Sequence, residues 1–117
     1  RRYSEGLSGV VKVPVVPDAH RSAWAQYAIE TPHRDALKAH LQANGIPSVI
    51  YYVTPLHLQD AYRAYPLAPG CLPVPEGLPS RILCLPMHPY LTEADQDRIV
   101  TTIRDFLSDK SGRLAAE

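Results

Sequence analysis

Two histidines stand where a side chain can do chemistry. His57 lies in PLHLQDAY (residues 55–62) and His88 in LPMHPYLTEADQ (residues 85–96), each among prolines with a tyrosine nearby and an apolar run just before. Imidazole changes charge near neutrality without help, so either ring can move a proton, hydrogen-bond a ligand or bind a metal. A metal would need a third ligand at suitable spacing, and neither HxH nor HExxH occurs, so no metal is expected. For His57 the competing role is a tie from the ring to a backbone carbonyl that holds its own loop. His20, His33 and His40 read as surface or helix-face residues. Tyr51, Tyr52, Tyr62, Tyr65 and Tyr90 gather in the same stretches. Their rings suit sugars or cofactor edges, and equally suit half-buried sheet positions. Tyr27, and one of the oppositely pointing pair Tyr51 and Tyr52, are expected in the core.

A nucleophile with its base is harder to assemble. No serine stands in a GxSxG elbow, and no glycine-rich phosphate loop occurs. Lys38 falls on a predicted helix and Lys12 in an edge segment, neither a desolvated pocket of the kind that activates an imine-forming amine; Lys110 is the third lysine. Cys71 sits in a proline-rich loop and Cys84 in an apolar run, without CxxC spacing, so Cys84 is expected as a small buried hydrophobe. The residues alone describe one ligand-facing rim without a complete catalytic set.

The elements that must position this rim follow from pattern. Residues 1–7 read as the last turns of a helix whose beginning is missing, with Gly6 and Gly9 as stop signals. Residues 10–16 are valine-rich, but Pro14 and Pro17 confine them to an edge or an extended connection. Residues 23–30 alternate with a period of two and predict a strand. Thr31-Pro32 opens a helix with an apolar stripe of Leu37 and Leu41 flanked by Ala36, Ala39 and Ala43, closed by Asn44-Gly45. Residues 46–53, β-branched and aromatic, predict a strand. Residues 54–89 hold eight of the twelve prolines. Proline removes backbone donors, so this stretch is expected as ordered loop broken by a short buried strand at 82–85. Thr92-x-x-Asp95 forms a capping box for a final helix carrying Ile99, Val100, Ile103, Phe106 and Leu107 at helical spacing.

The fold class is therefore α+β, a two-layer module in which two amphipathic helices cover one face of a small, mostly antiparallel sheet. Residues 1–110 form one domain, and 111–117 a flexible tail or an expression remnant. A length of 117 residues supports a single core, and a net charge of zero disfavours nucleic acid and anionic membranes as partners. No apolar run approaches the roughly 20 residues that span a bilayer. With cysteines so sparse, a cytoplasmic location is expected.

The ordered set GIPSVIYYVTPLHLQDAY (residues 45–62) and LPVPEGLPSRILCLPMHPYLTEADQDRIV (residues 72–100) resembles the C-terminal segment of the DegT/StrS family of pyridoxal-phosphate-dependent sugar aminotransferases, of fold type I. RRYSEGLSG resembles the end of that family's interdomain helix, AWAQYAIE its first small-domain strand, and RDALKAHLQANGI the helix before the GI turn. Val53 stands where the family often has proline, and Gly77 and Pro79 weaken a short helix expected after Glu76.

The resemblance implies an enzyme that passes an amino group from glutamate to a keto nucleotide sugar, for surface polysaccharide or other amino-sugar products. It implies a homodimer in which a large domain, expected upstream of Arg1, holds pyridoxal 5′-phosphate and its imine lysine. This chain alone is then expected to bind no cofactor and to be inactive. By position, Tyr52, His57, His88 and Tyr90 become substrate-binding residues rather than catalytic ones. Two alternatives are a sugar dehydratase of the same family, with histidine in place of the lysine, and a freestanding, non-catalytic binding or assembly module.

Overall fold

The computed structural model describes residues 1–62, 64–65 and 72–114, with 110–114 as backbone only. Cys71 and residues 115–117 of the expected tail lie outside the described residues. In chain order the elements are α1 (Arg2–Leu7), β1 (Tyr27–Glu30), α2 (Arg34–Ala43), α3 (Pro73–Gly77), β2 (Ile82–Leu85) and α4 (Glu93–Leu114). Single 3-10 turns occupy Leu56–Leu58, Asp60–Tyr62 and Leu78–Ser80. The class is α+β, as expected.

β1 and β2 run antiparallel, with Tyr27 opposite Leu85 and Ile29 opposite Leu83. Strand geometry puts these four on one face, where all are buried against the helices. The strand expected from residue 23 begins only at Tyr27, because Trp24 takes a φ of 50°, outside the β region. The strand expected at 46–53 does not form. Pro47 has no donor to give a ladder, and only Val49 pairs, exchanging bonds of 3.1 and 2.8 Å with Cys84 before the chain turns at Tyr51. Lys12 makes the corresponding single bridge to Glu30 on β1; Val10 and Val11 still turn back onto the Leu7 carbonyl, so the extended edge connection that the prolines imply begins at Lys12.

The helices close the core from the other side. α2 buries Arg34, Leu37 and Leu41, while Ala36, Ala39 and Ala43 are exposed, so its stripe is narrower than the alanines imply. Thr31 does not cap it; its Oγ1 accepts the His33 N–H at 3.3 Å and the helix starts at Arg34. Gly45, at φ 68°, turns the chain out of α2 as expected. At the start of α4 the capping box forms: Thr92 Oγ1 accepts the Asp95 N–H at 3.1 Å, and the Asp95 carboxylate accepts the Thr92 N–H at 3.3 Å. The Thr92 hydroxyl bond chiefly holds the Asp95 carboxyl below the usual range. Ile99, Ile103 and Leu107 enter the core, and the helix continues to Leu114, beyond the end expected at 110.

Gly6 is not a stop signal. It lies inside α1, where a Cβ would stand 2.7 Å from Val100 Cγ1, so only glycine lets α1 lie this close to α4. Arg2 locks the same junction with bonds of 2.8 and 3.0 Å to Asp97.

Glu30, at the end of β1, receives Lys12 Nζ at 2.6 Å and Arg81 Nε at 3.0 Å, and the two hold its carboxyl below the usual range. A depressed folded-state pKa contributes stability that is present above the unfolded value of about 4.3 and is lost as pH falls through the folded one. Urea unfolding of Glu30→Gln is therefore expected to show a lower midpoint than wild type at pH 7. The difference should close in acid, and a constant difference down to pH 2 would exclude the charge as its source.

Candidate functional site

The segment leaving β2 is pinned before it reaches His88. Tyr3 on α1 is buried, and its hydroxyl donates to the Pro86 carbonyl at 3.0 Å. Burial pushes the Tyr3 phenol up to about 12, so it remains a donor throughout the neutral range. Beside it the Tyr27 hydroxyl shares a 2.7 Å bond with Ser4 Oγ, and burial raises this phenol too. α1 and β1 thereby fix the carbonyl two residues before His88.

Three adjoining cavities share His88. The central one, about 300 Å³, lies between residues 47–51 and 84–88, with Gln26, Ser48, Tyr51 and His88 as its polar lining. A neighbour of about 220 Å³ runs to Leu91, Asp95 and Arg98, and another of about 440 Å³ runs to Trp24 and Pro89. A concave apolar surface with a few convergent hydrogen-bonding groups is the usual form of a small-molecule site. Cys84 floors the central cavity as a buried thiol pushed up by desolvation, poorly suited to act as a nucleophile.

His57 belongs to a second cluster. It sits in the 3-10 turn Leu56–Leu58, entered from Pro55 and closed by the Leu58 N–H on the Pro55 carbonyl at 3.0 Å. Its Nε2 meets Glu76 Oε1 of α3 at 3.1 Å, and the same oxygen accepts the Leu72 N–H at 3.2 Å. His57 thus ties its loop to a carboxylate, not to the backbone carbonyl considered from sequence. The stretch expected as plain loop carries α3 and three 3-10 turns; Glu76 lies inside α3, and the short helix expected after it is only the 3-10 turn Leu78–Ser80.

The four candidate residues do not converge on one cavity. His88 lines all three, whereas Tyr52, His57 and Tyr90 are not among their lining residues. Tyr52 and Tyr90 stand exposed on turns, at 70% and 87% of their full surface. Of the predicted pair, Tyr51 borders the central cavity, and neither tyrosine enters the core. Gln26, Ser48 and Glu76 escaped the sequence reading. A period-two strand reaching back to Gln26 gave no hint of a cavity wall, and Glu76 meets its histidine across 19 positions.

Pyridoxal phosphate requires a desolvated amine for its imine. Lys12 is largely exposed and paired with Glu30, and Lys38 lines a wide-open cavity on α2 that shares Pro47 and Ser48 with the central one, so neither amine is desolvated. The described residues therefore do not fit that cofactor. Among them no cluster of three His, Cys, Asp or Glu forms a metal site, and no helix is long and apolar enough to cross a membrane.

Residues 1–104 match the model of the DegT/DnrJ/EryC1/StrS aminotransferase family, and the chain belongs to that family. A crystal structure of a DegT DnrJ EryC1 StrS aminotransferase from Brucella abortus superposes with a TM-score of 0.86 at 70% identity, over 91% of this chain and 28% of that one. DesV of S. venezuelae, solved with a ketimine intermediate, gives 0.85 at 30% identity, over 91% of this chain and 29% of that one. The UDP-N-acetyl-3-dehydro-alpha-D-glucosamine 3-aminotransferase of Acidithiobacillus ferrooxidans is 41% identical over 106 residues, which are 90% of this chain and 28% of that protein. The chain thus spans between a quarter and a third of the length of these relatives.

Proposed function

We propose that this chain is the C-terminal small domain of a cytoplasmic, homodimeric aminotransferase that moves an amino group from glutamate to a keto nucleotide sugar, serving surface polysaccharide or other amino-sugar synthesis. Residues 1–110 supply the small domain. Pyridoxal phosphate, the electron sink for the amino transfer, would be held by the large domain, which also provides the imine lysine. His88 and Tyr90 on one loop, and Tyr52 and His57 on the other, would contact the sugar nucleotide rather than transfer protons. The observation that carries this reading is the cleft at His88: polar groups converge there, within a family fold, with no desolvated amine among the described residues to form an imine.

A segment exchange tests it. In the Acidithiobacillus relative, the matching 28% would be replaced by this chain. The chimaera is expected to transfer amino groups from glutamate to the 3-keto UDP-sugar, whereas pyridoxal phosphate mixed with this chain alone is expected to give no imine absorbance that survives buffer exchange. A folded chimaera without transfer, or a stable imine on the chain alone, overturns the reading.

A further inference from the structure

His57 and Glu76 form a sheltered pair. Their side chains retain 12% and 19% of their surface, and Nε2 lies 3.1 Å from Oε1. An exposed pair would add little, but partial burial keeps water from competing for the bond. The carboxylate accepts only, so the hydrogen between them must reside on Nε2. The Leu72 N–H on the same oxygen, at 3.2 Å, fixes where that oxygen stands. Among the described residues Nδ1 has no hydrogen-bond partner, so in the neutral ring it is a lone-pair acceptor.

We propose that Glu76 is a positioning residue that holds His57 as the Nε2–H tautomer, leaving Nδ1 to accept a hydrogen bond from a sugar hydroxyl. This rests on the nucleotide-sugar reading for its ligand, though not for its tautomer. A neutral ring with an acceptor nitrogen suits a hydroxyl donor and repels the oxygens of a pyrophosphate. A histidine binding phosphate would instead carry hydrogens on both nitrogens. The carboxylate also spans the segment between the 3-10 turn and α3, so a residue that touches no sugar decides which atom of His57 does.

The test has two arms. In the ¹⁵N-histidine-labelled 117-residue chain at pH 8, His57 is expected to show a slowly exchanging Nε2–H and an acceptor-type Nδ1. Glu76→Gln, which keeps the carbonyl oxygen, should preserve that signal, and Glu76→Ala should lose it while the Tyr27–Glu30 amides stay in place. In the chimaera, Glu76→Ala should slow the keto-sugar half-reaction about tenfold, the weight of one hydrogen bond, with Gln restoring it and the glutamate half-reaction unaffected. A hydrogen on Nδ1 in the wild-type chain overturns the proposal even if Glu76→Ala fails to fold. So does an unchanged sugar half-reaction in folded Glu76→Ala. A chimaera with no transfer at all would defeat the aminotransferase reading and leave the tautomer to be decided by the first arm.

Discussion

Leu37→Ala is expected to lower the unfolding free energy by about 2–5 kcal/mol, read as an earlier midpoint in urea with an unchanged slope. Leu37 has no exposed surface and shares one buried cluster with Leu41, Ile29, Leu83 and Ile103, drawn from two helices and both strands. Truncation removes three carbons where neighbours on four elements cannot all move inward, so a cavity term adds to the lost transfer energy. Domains of this size hold only about 5–15 kcal/mol in total, so the variant would lose a large share of its stability. Ala36→Ser, one residue away on the exposed side of α2, should shift the midpoint hardly at all. Equal losses at the two positions would mean that α2 does not lie on the sheet as described.

That contrast also marks what could be read from residues alone. α2, β2 and α4 announce themselves because their signals are local: the Leu37–Leu41 stripe, the buried run at 82–85, and a capping box whose two halves are three positions apart. Residues 46–53 misled because β-branched composition measures fitness for a sheet surface, while pairing is decided by partners elsewhere in the chain, here one bridge to Cys84. Gly6 misled for a related reason, since its role is set by Val100, and no local rule separates a helix stop from a helix contact. The site divides the same way. His88 was legible as a histidine among prolines after a strand, but its neighbours Gln26 and Ser48 come from distant segments. The Glu76 carboxylate has no meaning for His57 until α3 folds beside the 3-10 turn.

The second large effect concerns the face that carries those turns. Tyr52, Val53 and Leu56 retain 70%, 68% and 61% of their surface within five consecutive positions, and Tyr65 and Val74 are similarly open. The Tyr51 and Tyr52 rings lie 5.7 Å apart, those of Tyr62 and Tyr65 5.9 Å apart, and the His57–Glu76 bond brings α3, with Val74, beside the same segment. Exposed apolar side chains gathered on neighbouring turns are uncommon on a protein that works alone and mark a place of association. In the enzyme proposed above, the large domain would cover it; in the separate chain another copy is the available cover. The 117-residue chain should therefore self-associate as its concentration rises in sedimentation velocity. Val53→Glu combined with Leu56→Glu should weaken that association by at least about tenfold, because burying each apolar side chain contributes about 1.5–3 kcal/mol and the new carboxylates would have to be desolvated. Neither side chain belongs to the buried cluster, so the urea midpoint of the double variant should stay near that of wild type. A wild-type chain that remains monomeric at high concentration would show that these turns need no partner, and the large domain would then have to dock through some other face.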